Sequence, residues 1–193
     1  MMDLATFIQS SIAAGRDVKQ AMLESCATDL EAAAGILVEA LNTGHTIYWC
    51  GNGGSAADAQ HLSTELMGGL RNHDRPALAS VALTTDTSFL TAWANDTGYE
   101  SVFSRQIQGL GKPGDVLVAI STSGNSGNVL SAIQTAGKLG LSIIGLTGEK
   151  GGKMAPQCTV CIRIPSRDTQ RIQEGHILSG HLLCEWVEKQ YLP

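Results

Sequence analysis

Aromatic side chains are scarce in this chain of 193 residues, at 5%, and there are only five prolines. Small aliphatic side chains must therefore fill the core. Charge is sparse too: 16% of residues are charged, the net charge is -5, and no basic stripe is visible. That excludes nucleic-acid binding as the main activity, because such proteins carry clustered Lys and Arg. The apolar runs are a few residues long, well short of the ~20 that a membrane helix needs. The N-terminal MMDLATFIQSSIAAGRDVK has no basic stretch followed by an apolar run, so it does not read as a secretion signal. A cytoplasmic protein with no membrane partner is expected. The five cysteines are an odd number, and free thiols are the expectation in that compartment. Cys158 and Cys161 form one CxxC. A zinc ribbon would need a second pair, and TVCIRI reads as a strand, so buried strand thiols are expected.

What is present is ordinary globular material. Apolar residues make up 43%, and the 22 glycines gather in short loops rather than in a repeat. The length suits one domain over 1–193, with a helical segment at 1–44 and an α/β core over 45–193. Leu4, Phe7, Ile8, Ile12, Val18 and Met22 recur at helical spacing, as do Leu30, Ala33, Ala34, Leu37, Val38 and Leu41, so two helices are expected over 2–41. Short strands are expected at 46–50, 78–83, 116–120, 142–146 and 159–164. Helices should start at Ser55, with Asp58 completing a capping box, and cover 87–94, 99–110, 128–139 and 172–189. Short strands that are apolar on both faces and alternate with helices imply a parallel sheet covered on both sides. Ligands in such folds sit at the loops beyond the carboxyl ends of the strands.

Two of those loops are unusual. STSGNS (121–126) follows a buried strand and precedes a helix. It offers hydroxyls, an amide and the unpaired N–H groups of a helix start, where an anion is stabilised. A polar loop with a capping serine is the plainer reading. It contains neither the P-loop pattern nor the dinucleotide fingerprint. GNGGS (51–55) holds three glycines in four positions, which suits unusual backbone conformations or close approach to a ligand, and also suits a tight strand-to-helix turn. On the helix after it, His61 and Glu65 lie one turn apart on one face, an arrangement shared by catalytic pairs and by solvated surface pairs. His181 stands among Ile177, Leu178, Leu182 and Leu183, with Gln173 and His176 upstream on the same helix. Taken alone, such a histidine is more often a core residue than a catalyst.

GNGGSAADAQHLSTEL, AISTSGNSGNV, LTGEKGGKMA and RIQEGHILSGHLLCEWVE together resemble the sugar isomerase (SIS) superfamily. Within it they are most similar to the bacterial sedoheptulose 7-phosphate (phosphoheptose) isomerases, over nearly the whole chain. The resemblance implies a three-layer αβα sandwich with a central parallel sheet preceded by N-terminal helices. It also implies a homotetramer with active sites at subunit interfaces, and a ketose-to-aldose isomerisation of a sugar phosphate. The product would feed nucleotide-activated heptose for lipopolysaccharide core or other surface glycans.

Such an isomerisation needs a base for a carbon-bound proton and an acid at the carbonyl. The resemblance assigns these roles to Glu65 and His181. It assigns substrate contacts to Asn52, Gly53, Gly54, Ser55, Glu65, Asn95, Asp96, Ser121, Thr122, Ser123, Ser126 and Gln173. It implies zinc at His61, Glu65, Gln173 and His181, acceptable ligand types for that ion. In some relatives an arginine stands where this chain has Gly69, and Arg71 is a candidate replacement. CxxC is not part of the pattern. A tetrameric, non-catalytic relative that binds the replication initiator protein is the competing reading. It lacks a histidine at the place of His181, which this chain has.

Overall fold

The computed structural model describes residues 3–191. The chain runs α1 (Leu4–Ser25), α2 (Ala27–Asn42), β1 (Ile47–Gly51), α3 (Gly54–Gly68), β2 (Ser80–Ala82), α4 (Thr87–Thr97), α5 (Val102–Leu110), β3 (Val116–Ile120), α6 (Gly127–Leu139), β4 (Ser142–Gly148), β5 (Val160–Ile164) and α7 (Thr169–Lys189). All the strand pairs are parallel, in the order β2-β1-β3-β4-β5. In β1 and β3, two of the three interior strands, every residue is buried, as a sheet covered on both faces requires.

Alternation along the strands builds two cores. Ile47, Trp49, Val116, Val118, Ile120, Ile144 and Leu146 face α1, α2, α3 and α7. Tyr48, Cys50, Leu117, Ala119 and Ile143 face α4, α5 and α6. The result is an αβα sandwich. Trp49 keeps its indole N–H satisfied inside the first core by donating to Ser80 Oγ at 2.9 Å. α1 begins with Asp3 accepting from the Thr6 N–H at 2.9 Å. Of its residues only Gly15 and Met22 are buried, and Leu4, Phe7, Ile8, Ile12 and Leu23 are exposed. Among the described residues, no helix is long and apolar enough to cross a membrane.

Several local expectations are corrected. β2 is shorter than 78–83, because it is an edge strand bonded only to β1 through Ser80, Val81 and Ala82. The expected helix 99–110 opens instead as a 3-10 turn, Tyr99–Ser101, before α5. α7 starts three residues early, because the Asp168 carboxylate accepts from the Gln170 N–H and caps it at Thr169. There is no Ser55–Asp58 capping box: α3 starts one residue earlier, at Gly54, its N-cap is Gly53, and no side chain caps it. Cys158 and Cys161 are half-buried rather than buried, since β5 is the other edge of the sheet and Cys158 precedes it.

Candidate active site

β1 and β3 are neighbours, yet the chain leaves them in opposite directions, to β2 on one side and β4 on the other. A crevice opens at such a switch point, outside the carboxyl ends of the strands. Both loops singled out by composition end there. Their link is direct: the Asn52 and Asn128 side-chain amides exchange two hydrogen bonds of 2.9 and 2.8 Å. Gly53 holds φ +56° and ψ -120°, a conformation that side chains with a Cβ avoid. Gly54 leaves room for a neighbour, since a Cβ there would lie 2.6 Å from Gln173 Nε2. Ser55 is buried in the first turn of α3.

In the second loop, Ser121 Oγ and Ser126 Oγ lie 3.0 Å apart, and Ser123 Oγ accepts from the Asn125 N–H at 3.1 Å. α6 starts immediately after, at Gly127, so its unpaired N–H groups face this loop. Thr122, Ser123 and Asn125 line a cavity of about 300 Å³ with Lys150, Ser166 and Arg167. The two cations come from loops after β4 and β5. Sequence reading missed both, because an isolated Lys or Arg in a loop carries no pattern. Asn95 and Asp96 lie on exposed turns of α4, and the hydrogen bond described for them joins one to the other at 2.9 Å. The chain by itself does not bring them to the histidines through any hydrogen bond among the described residues.

Three donors converge between α3 and α7. His61 Nε2 lies 2.8 Å from His181 Nε2 and 3.2 Å from Glu65 Oε1. The three offered atoms lie within 4.8 Å of one another. His61 is 48% exposed and the Glu65 side chain 14%, so the base candidate is the more sheltered. Asp58 completes the face. Its carboxyl pKa is raised by burial, an effect that the neighbouring imidazoles of His61 and His181 partly offset. The i, i+3, i+7 spacing of Asp58, His61 and Glu65 was the signal for it, obscured by the capping-box reading. Gln173 lines a neighbouring groove with Gly54, Ala57, Asp58 and Ile177. Two imidazole nitrogens and a carboxylate oxygen so close together suit a metal ion that takes N and O ligands.

Two devices bring the helices together. Gly180 presents no side chain where Leu62 of α3 packs against α7. Beyond the end of α3, the buried Glu188 carboxylate accepts from the N–H groups of Leu70, Arg71 and Asn72 at 2.8, 2.9 and 3.2 Å. It also accepts from buried Arg75 Nε at 3.0 Å, while Arg75 Nη2 donates to the Glu65 carbonyl at 2.7 Å. This clamp was not foreseen from sequence. The turn it holds requires Gly69, which has φ +105° and whose Cβ would lie 2.5 Å from Asn72 O. Arg71 points instead to exposed surface, paired with Glu185 at 3.2 Å. His176, three residues after Gln173, is fully buried, and neither ring nitrogen reaches full hydrogen-bond geometry with a protein partner, the nearby Thr147 backbone included. Burial pushes its pKa down to about 4, with the Thr147 backbone only partly offsetting that.

Comparison with known proteins gives one consistent answer. A family profile described as SIS domain matches residues 12–148. A phosphoheptose isomerase of Rhodospirillum rubrum is 55% identical over 166 residues, 86% of this chain and 88% of its own length. That of Aneurinibacillus thermoaerophilus is 48% identical over 95% of this chain and 93% of its own. Among solved structures, the phosphoheptose isomerase GmhA from Neisseria gonorrhoeae superposes with a TM-score of 0.91 at 42% identity, covering 97% of this chain and all of that one.

Proposed function

The chain belongs to the SIS-domain family and, within it, to the phosphoheptose isomerases, and from that membership we propose that it converts sedoheptulose 7-phosphate to D-glycero-D-manno-heptose 7-phosphate. The observation that carries the chemistry is the convergence of His61, Glu65 and His181 between α7 and α3, the helix that the GNGGS loop opens. In this reading Glu65 takes a proton from C1 of the ketose and returns it to C2. His181 carries the proton between the two oxygens, giving a neutral enediol between the steps. Glu65 is the more sheltered of the two partners, its side chain 14% exposed against 48% for His61, so a base there is shielded from bulk water.

The phosphate is assigned to Ser121, Thr122, Ser123 and Ser126 at the start of α6, with Ser55 and the backbone of Gly53 and Gly54 nearby. Asn52, Asn95, Asp96 and Gln173 are assigned to the sugar. Asn95 and Asp96, and the half-exposed His61, fit a site that a second subunit completes. The uncovered apolar residues of α1 supply a surface for a homotetramer. One catalytic unit spans 1–193, its helical segment at 1–44 and its α/β core at 45–193, acting in the cytoplasm on a precursor of surface-glycan heptose.

We assign zinc to His61, Glu65, Gln173 and His181. When bound it would polarise the substrate oxygen. A carboxylate engaged with a metal would be a weaker base, so bound zinc would compete with the general-base role of Glu65. Chelation should lower turnover and zinc restore it. Full turnover with no metal detected after exhaustive chelation would remove zinc and leave the acid and base in place. The initiator-binding alternative is disfavoured by the presence of His181 with its partners. Incubation with sedoheptulose 7-phosphate, followed by NMR, tests the reading: an aldose heptose 7-phosphate is expected, and unchanged ketose would overturn it.

A further inference from the structure

The CxxC plays no part in the site above. Cys158 ends the short 3-10 turn Ala155–Gln157, and Cys161 lies on β5, with Gly145 of β4 as its partner in register. Gly145 has no side chain, and the space it leaves is where two thiol sulfurs and the methyl end of a methionine thioether meet. A Cβ placed there would lie 2.7 Å from Cys158 Sγ, 3.1 Å from Cys161 Sγ and 3.1 Å from the Met154 methyl. Met154 is fully buried, and both cysteines are half-buried, so the group has an apolar floor and an open side. The described hydrogen bond of the Cys158 thiol goes to Met154 O at 3.2 Å, which already orients Cys158 toward that residue.

We propose that Cys158, Cys161 and Met154 form a binding site for a soft monovalent metal ion, Cu(I) in the first instance, held by two thiolates and one thioether. The donor set argues for that class. Thiolate and thioether sulfurs select Cu(I), whereas structural zinc takes four N, S or O ligands. Among the described residues, the one group of three or more His, Cys, Asp or Glu donors set closely together is His61, Glu65 and His181, so no fourth hard ligand joins the sulfurs. Arg163 is close enough for its charge to favour the Cys161 thiolate, against the smaller opposing effect of Asp29. Loading releases two thiol protons, M⁺ + 2 RSH giving M(SR)₂⁻ + 2 H⁺, with no change of oxidation state. The remaining cysteines offer no rival pair: Cys26, Cys50 and Cys184 are buried apart from one another, on α1's end, β1 and α7.

The test is an anaerobic titration of the fully reduced chain with Cu(I) buffered by a chromogenic chelator. One equivalent should be withdrawn that the Cys158→Ser/Cys161→Ser variant does not withdraw. Met154→Leu should weaken that equivalent about tenfold or more, and Gly145→Ala, which fills the convergence point and keeps every sulfur, should weaken it too. Isomerase turnover of the double serine variant should match wild type, which checks that it is folded. Equal Cu(I) uptake by wild type and the double serine variant would overturn the proposal. So would uptake of zinc but not Cu(I) at the pair, or a Cys158–Cys161 disulfide in air with no Cu(I) bound by the reduced form. Uptake that Gly145→Ala and Met154→Leu both leave unchanged would overturn the three-sulfur site.

Discussion

Glu188→Gln should be among the most damaging single substitutions in the chain, although residue 188 touches no substrate. The substitution removes one charge and little volume. It leaves Arg75, whose side chain is 1% exposed, buried without its counter-ion. Breaking one half of a buried ion pair costs about 3–5 kcal/mol. Against a whole-domain stability of ~5–15 kcal/mol this is a large fraction. At roughly 2–4 °C per kcal/mol for a chain of this size, the melting temperature should fall by about 6–20 °C. Urea unfolding at matched protein concentration is the assay, because any association shifts the apparent stability. The double variant Arg75→Met/Glu188→Leu has no orphaned charge and should be more stable than Glu188→Gln alone. The same carboxylate sets a pH dependence. Burial alone would raise its pKa, but the N–H donors of Leu70 and Arg71 and the Arg75 guanidinium outweigh that and hold it below its ordinary 4.5. Its contribution is therefore complete above pH 4.5 and lost as pH falls through the lower folded value. A loss under about 1 kcal/mol for Glu188→Gln, or a double variant less stable than the single, would refute the clamp.

Glu65→Gln should lower kcat by ~10²–10⁴-fold with an unchanged circular dichroism spectrum, and turnover within tenfold of wild type would remove Glu65 as base. Ser126→Ala should raise KM for the sugar phosphate roughly tenfold or more, as loss of a hydrogen bond to a charged group implies, and an unaltered KM would move the anion elsewhere. His176 predicts a second pH dependence of opposite origin. Its pKa is pushed from 6.5 to about 4, so stability is complete above pH 6.5 and declines toward pH 4, by about 3 kcal/mol. His176→Leu should flatten the stability profile over that range, and a profile parallel to wild type would show that the imidazole titrates freely.

Periodicity located the strands and helices because the alternation of apolar residues that makes a two-sided sheet is itself local. It failed where a boundary depends on a neighbour. β2 begins at Ser80, opposite Ile47 where β1 itself begins, and α3 begins on a glycine because Gln173 from α7 occupies the space above it. Spacing set His61 and Glu65 on one face, but nothing near them in sequence says that His181, 120 residues away, completes the group. That juxtaposition came from the family resemblance. Arg75 and Glu188, 113 positions apart, carry no local signature at all and read as two ordinary surface charges. The CxxC was read as core material because its strand was recognised and its place at the edge of the sheet was not.

The absent side chain at Gly180 has a consequence for how this site can change over evolutionary time. The distance between His61 and His181 is governed by how closely two helices approach, and Gly180 against Leu62 is one point that governs it. An added methyl there need not disturb the fold, the charges or any catalytic group, yet it would part the imidazoles. Compensation is available at one place, by a smaller residue at 62, so the two positions should vary as a couple. A lineage could thereby widen or narrow its reaction chamber in small steps without ever replacing a residue that does chemistry.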